Sequence, residues 1–172
     1  MVRPRPGNAG RNRRGRPRRN RRIDDVVLSG TPAATNPTFS DWLAGYTLGG
    51  LTAVGDDADH DGVANGIENV LGTAPDVATP GLTLVSSNGS VIVFRHSRSN
   101  SIASDLTASY EWSADLQSWH ASATAESGTT VTIAAATITD VSAPANDLVE
   151  VTATLTGTAK PETFVRLKAI KP

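Results

Sequence analysis

Residues 81–172 carry a repeated pattern that restricts the possible fold more than any other feature of this sequence. Six segments rich in Val, Ile, Thr and aromatic residues alternate apolar and polar side chains, as strands with one buried face do. Turn-forming clusters such as Ser-Asn-Gly at 87–89 separate them. Short strands at this spacing are typical of an antiparallel sandwich. We therefore predict a small antiparallel β-sandwich, immunoglobulin-like or fibronectin-like, over 81–172, with strands in GLTLV, SVIVFRHS, LTASYEWSA, TTVTIAAATI, LVEVTATLT and TFVRLKAI.

Two short helical patterns precede the strands, within residues 37–80. The first has Thr38 or Ser40 available as an N-cap and is stopped by a glycine pair at 49–50. The second ends at Gly72, where a C-terminal cap glycine belongs. The apolar residues at helical spacing are Phe39, Trp42, Leu43 and Tyr46 in the first helix, and Val63, Ile67, Val70 and Leu71 in the second.

An acidic loop separates the two helices and has the spacing of an EF-hand-type calcium loop. Alternate carboxylates are followed by a glycine at the sixth position, and an amide and a carboxylate follow at the ninth and twelfth. Alternate side chains of a tight loop converge on one point, where a hard cation takes six to eight oxygens. The predicted Ca²⁺ ligands are Asp57, Asp59, Asp61, the Val63 carbonyl, Asn65 and Glu68.

The alternatives for this loop are a solvated acidic turn and a magnesium site. Six agreeing positions favour a metal, and the number of protein ligands favours calcium over magnesium. Asp56 and His60 fall outside the ligand positions. Glycines separate the first helix from the loop and no second loop is present, so we expect a structural ion rather than a regulatory switch.

The N-terminal segment 1–36 has a very different composition. Ten of the sixteen basic residues lie in 3–22, whereas all seventeen acidic residues lie from Asp24 onward. With strong self-repulsion and almost no apolar residues, the segment is predicted to be disordered. Its RGRP motif at 14–17 resembles the core of an AT-hook, so a second hypothesis is binding of DNA or another polyanion. The candidate contacts are Arg14, Arg16, Arg18 and Arg19.

The order of motifs over about 37–172 resembles a known family. The Phe-x-x-Trp-Leu helix, the acidic loop and the ending Leu-Gly-Thr-x-Pro at 71–75 are similar to the thrombospondin type 3-like calcium module of secreted and surface proteins of Verrucomicrobia and Planctomycetes. The phrases YEWSADLQSW at 110–119 and FVRLKA at 164–169 resemble the β domain that follows it in that group. The resemblance implies an extracellular or cell-surface accessory region of a larger parent protein, without catalysis of its own.

Other features limit the remaining function classes. The chain has no cysteine, so thiolate metal sites are excluded, and no apolar run reaches the length of a membrane span. The charged start lacks the apolar stretch of a signal peptide, so an extracellular location requires sequence upstream of Met1. No nucleophile elbow, HExxH motif or phosphate-binding loop is present, and we expect no enzyme.

Aromatic and histidine side chains supply the last candidates. Tyr110 and Trp112 lie two apart on a predicted strand and are expected in the core. Trp119 follows a turn and is expected to be partly exposed, which leaves a carbohydrate-binding module as a third hypothesis. His96 and His120 are expected at the surface.

Overall fold

The structure is a computed structural model that describes residues 35–79, 83–140 and 146–172. The arginine-rich segment, with its predicted disorder and its four candidate DNA contacts, lies outside the described residues. Residues Ala34–Pro172 form one compact unit.

Eight strands and two short helices make up the described chain. All six predicted strands are confirmed. Two additional strands lie between the third and the fourth of these, and with two residues each they are too short to show an alternating pattern. The helices are α1 (Phe39–Leu43) and α2 (Asn65–Leu71), and the strands are β1 (Thr83–Ser87), β2 (Val91–Arg98), β3 (Thr107–Ser113), β4 (His120–Ala121), β5 (Ala125–Glu126), β6 (Thr129–Thr139), β7 (Asp147–Gly157) and β8 (Phe164–Ile170).

The strands form two antiparallel sheets, which confirms the mainly β prediction. The larger sheet has the order β1-β2-β7-β6-β5, and the smaller one has the order β4-β3-β8. The order β1-β2-β7-β6 corresponds to A-B-E-D of an immunoglobulin-type sandwich, and the β3–β8 pair corresponds to its C–F pair. Within the described residues, β8 has no strand on its other side.

The core lies between the two sheets. Trp112 of the smaller sheet is fully buried against Val131 and Ala153 of the larger one. Tyr110 packs with Phe94 and with a second group of apolar residues around α2. The predicted core positions of Tyr110 and Trp112 are therefore confirmed, because alternate residues of β3 face the opposite sheet.

Helix α1 begins and helix α2 ends where the sequence predicts. The predicted end of the first helix at the glycine pair 49–50 is wrong, because α1 already ends at Leu43, and Val63 lies before the start of α2. Thr38 caps α1 through a capping box with Asp41, and Gly72 ends α2 in the left-handed conformation, with φ 75°. Tyr46 lies beyond the end of α1 but still contacts Trp42, with ring centroids 5.2 Å apart. In the described part of the chain, no helix has the length and apolar character needed to cross a membrane.

His96 is buried, so its predicted surface position is wrong. Its side chain is 3 % exposed on the inner face of β2. Its Nδ1 lies 2.6 Å from the Ser97 carbonyl oxygen, and its Nε2 lies 2.7 Å from the Tyr110 hydroxyl. Because a carbonyl only accepts, Nδ1 carries the proton and Nε2 accepts from Tyr110. Burial lowers the pKa of His96, and the nearby charge of Arg98 lowers it further.

This pairing predicts a pH-dependent contribution of His96 to stability. In the unfolded chain His96 has a pKa near 6.5 and binds a proton below that pH, whereas the folded state keeps it neutral. The free energy of unfolding therefore decreases as pH falls below about 6.5. Relative to His96→Gln, the wild type should lose up to about 1.4 kcal/mol per pH unit in that range. Urea unfolding of both proteins between pH 8 and 5 measures the difference between their free energies of unfolding at each pH. Groups that titrate equally in both proteins do not contribute to this difference. A difference that does not change with pH would contradict a neutral His96 in the folded state.

Candidate metal centre

Three aspartates of the acidic loop converge as the sequence spacing predicts. One carboxylate oxygen from each of Asp57, Asp59 and Asp61 lies within 4.8 Å of the others. The tight turn that brings them together has left-handed backbone at His60 and Gly62, with φ of 65° and 91°. Only glycine takes that conformation without a steric cost, which explains the glycine at the sixth position.

Backbone amides of the loop hold the aspartates in place. The amide of Gly62 donates to Asp57 Oδ2 at 2.9 Å, and the amide of Asp61 donates to Asp59 Oδ1 at 3.1 Å. Each of these two carboxylates therefore uses one oxygen inside the loop. The second oxygens, Asp57 Oδ1 and Asp59 Oδ2, are buried and have no hydrogen-bond partner among the described residues.

Asp61 connects the loop to the segment that leads into the sandwich. Its Oδ1 accepts from the amide of Val63 at 2.7 Å, and its Oδ2 accepts from the amide of Thr79 at 2.7 Å. Thr79 lies four residues before the start of β1. The described part of the linker, residues 73–79, is therefore tied at its end to a carboxylate of the loop, a contact that sequence spacing does not reveal.

Glu68 stands in α2 beside the three aspartates and is fully buried. Its Oε1 is 3.5 Å from the Thr73 hydroxyl, and its Oε2 has no hydrogen-bond partner among the described residues. Burial raises the pKa of Glu68 to about 7, and the charges of Asp59, Asp61 and Asp57 add to the rise. Its oxygens are not part of the 4.8 Å group formed by the aspartates.

Asn65 and Val63 occupy the other two predicted ligand positions. Asn65 is fully buried, and its Nδ2 donates to the carbonyls of Leu51 and Ala53 at 3.0 and 3.3 Å. Its Oδ1 is buried without a partner in the described chain. Val63 packs its side chain against the apolar group that contains Val70. Asn65 therefore fixes the segment before the loop while its oxygen remains available.

The donor set fits a hard cation. All the candidate ligand atoms are oxygens, and four of the side chains are carboxylates, the class of ligand that calcium prefers. Buried polar atoms in folded proteins nearly always have a partner, either in the protein or in ordered water, and three carboxylate oxygens of Asp57, Asp59 and Glu68 have none among the described residues. A cation among them supplies a common partner and offsets their mutual repulsion.

Helix α2 is anchored to the sandwich at its C-terminal end. The carbonyl of Val70 accepts from the amide of Ser99 at 2.8 Å, and the carbonyl of Leu71 accepts from the Ser97 hydroxyl at 2.6 Å. The Asn69 side chain accepts from the amide of Ala103 at 2.9 Å. Sequence analysis missed these anchors, since polar residues in a strand or a helix give no signal of a distant partner.

The residues of the alternative functions are arranged differently. Trp119 is half-buried, and the Arg166 guanidinium carbon lies 3.8 Å from the centre of its ring. The Glu111 carboxylate accepts from Arg166 and Lys168, each at 2.7 Å. One face of the indole is thus occupied by a guanidinium, which reduces the ring surface that a sugar could stack on. His120 is half-buried beside Glu126, with 3.4 Å between Nε2 and Oε1.

Comparisons with protein-family models, with curated proteins and with solved structures find no match for this chain.

The close approach of Val54 to α2 gives a prediction about Gly66. The Gly66 amide donates to the Val54 carbonyl at 2.9 Å, and a Cβ at Gly66 would overlap the Val54 side chain. Alanine in a helix interior normally stabilises by about 0.5–1 kcal/mol over glycine. We expect Gly66→Ala instead to destabilise by about 1–3 kcal/mol, because of the overlap. Urea unfolding measures the change.

Gly55→Ala is the matched control. No atom lies within 4 Å of a Cβ placed at Gly55, so this change should be neutral or stabilise by up to about 1 kcal/mol. A Gly66→Ala protein more stable than the wild type would show that Val54 does not pack closely against the helix.

Proposed function

We propose that the chain is a calcium-binding structural module in which one Ca²⁺ fixes the acidic loop against α2 and the β-sandwich. The observation that carries the proposal is the fully buried carboxylate of Glu68 beside three converging aspartates, with its Oε2 unpartnered among the described residues. The proposed ligands are Asp57, Asp59, Asp61, Glu68, Asn65 Oδ1 and the Val63 carbonyl.

The electrostatics of the site support coupling between the ion and local order. Four carboxylates without a cation repel one another, and the buried one loses its hydration as well. The raised pKa of Glu68 has the same causes, namely burial and the neighbouring negative charges. A proton on Glu68 removes its charge and so reduces the repulsion. A dication would relieve all four groups together, so binding stabilises the folded loop.

The contacts around the site explain why the role is structural. Asp61 connects the loop to the linker before β1, and Asn65 connects it to the segment before the loop. Helix α2 continues directly into its anchors on the sandwich. An ion in the loop would therefore strengthen a junction between three parts of the chain. The four carboxylates of the proposed ligand set would all be engaged by the ion, which is the arrangement of a structural site.

We further propose that the chain has an accessory role in an extracellular or cell-surface protein. Calcium is abundant outside cells, where modules of weak affinity remain occupied. The resemblance to the thrombospondin type 3-like module supports this location and a larger parent protein, on the motifs quoted above.

Thermal unfolding with and without calcium tests the proposal. At a calcium concentration 100 times the dissociation constant, the ion should stabilise the protein by about 2.7 kcal/mol, which raises Tm by roughly 5–10 °C. Asp57→Asn and Glu68→Gln should lose most of that rise. Glu68→Gln should also raise Tm of the calcium-free protein, because it removes a buried charge from beside three others.

Asp76→Asn is the matched control, since Asp76 is an exposed carboxylate of the same module outside the loop. It should keep the full calcium response. Magnesium at the same concentration should give a smaller rise, because it favours water over a large protein cage. A wild-type Tm that calcium does not change, or an unchanged response in both loop variants, would overturn the proposal.

A further inference from the structure

The second half of β6 is exposed on both faces of its sheet. Thr129 and Val131, at the start of the strand, are buried, whereas every residue of 134–139 is exposed. The smaller sheet has only three strands, and its β4 has two residues. It is therefore too narrow to cover the far half of β6.

The same stretch also has an open edge. At the start of β6, the Val131 carbonyl accepts from the amide of Ala123, and the Ile133 amide donates to the Ser122 hydroxyl. Residues 131 and 133 thus direct their backbone groups away from β7. Since these directions alternate along a strand, Ala135 and Thr137 also point to this edge. The described residues provide no partner for them there.

The composition of this edge differs from that of the other open edges. The strand TTVTIAAATIT has no charged residue, no proline and no glycine, and such uncharged β-forming segments pair readily with another strand. In contrast, β8 carries Arg166 and Lys168 on one face, and a self-pairing there would bring cations together. The outer strand β1 has only five residues, with an irregular register after Leu84, whereas β6 pairs regularly with β7 from Thr129 to Thr137 and its register shifts only after that residue.

We propose that β6 pairs with β6 of a second copy of this chain, antiparallel about a two-fold axis at Ala136. In this register Ala135 faces the partner's Thr137, and both residues exchange their free backbone hydrogen bonds. Ala136 then faces the partner's Ala136, so two small side chains meet without a charge conflict. The two larger sheets become one continuous sheet. The pairing does not depend on the proposed calcium site.

The two-fold axis limits the assembly to a dimer. Each copy uses its only uncharged long open edge among the described strands, and the pairing leaves no equivalent edge free for a third copy. The overlap that is symmetric about Ala136 covers 134–138, so it stops before Ile133, whose amide binds Ser122, and before the residues that pair with β5.

Light scattering coupled to size-exclusion chromatography, over a concentration series of the full chain, tests the dimer. The wild type should rise from the monomer mass of 17.9 kDa toward twice that value. Ala136→Lys should remain monomeric, because two lysine side chains, with Cβ atoms about 5 Å apart, would place like charges opposite each other across the axis. Its folding should be unaffected, since the residue is exposed and faces Glu150 of β7.

A second variant tests the backbone pairing independently of charge. Ala135→Pro removes an amide that points to the open edge, a position at which edge strands tolerate proline. It should also abolish the dimer, with a circular dichroism spectrum like that of the wild type. Ser87→Lys places a lysine on the exposed outer strand β1 and should dimerise as the wild type does.

Hydrogen exchange identifies the surface involved. The amides of Ala135 and Thr137 should be protected in the wild type and exchange at least tenfold faster in Ala136→Lys. A wild type that stays monomeric at all concentrations would overturn the proposal and leave the edge to a strand of another protein. Growth beyond a dimer, or a dimer retained in both Ala136→Lys and Ala135→Pro, would also overturn it.

Discussion

Helix α2 depends on hydrogen bonds from other parts of the chain at both of its ends. It has seven residues, fewer than an isolated helix needs to be stable in water. At its start, the amides of Asn65 and Gly66 donate to carbonyls of the preceding segment. At its end, the carbonyls of Val70 and Leu71 accept from the sandwich. The acidic loop is therefore positioned by the β domain, through this helix.

The same helix joins the two sheets. It contacts β2 of the larger sheet and β8 of the smaller one. Val70 and Leu71 are almost fully buried against Leu167 and the residues around it. Burial of two such side chains contributes about 3–6 kcal/mol before the entropy of ordering is subtracted. One side of this helix–loop unit is therefore a well-packed apolar surface, and the other side holds several carboxylates close together. A cation would reduce the repulsion between the carboxylates without changing the apolar packing.

Sheet width explains the remaining exposed surface. Three strands cannot cover five, so the inner face of the larger sheet is buried only where the smaller sheet or α2 lies over it. Phe94, Val149 and Val151 are covered, whereas Ala135 and Thr137 are not. Ala135 and Thr137 are small or polar, which lowers the cost of exposing them, and Ile138 is the one large apolar residue of this stretch. The exposed inner face of β6 at 134–139 is a consequence of this unequal width.

The sequence alone determined the six longer strands, the start of α1, the end of α2 and the convergence of Asp57, Asp59 and Asp61. These features depend on alternation, on capping residues and on a glycine at one position, all of which act over a few residues. Only the tertiary structure decided that His96 is buried against Tyr110, that Asp61 holds Thr79, and that β6 extends beyond its cover. Each of these depends on contacts between segments far apart in the chain or on the relative width of two sheets, and local patterns carry no information about either.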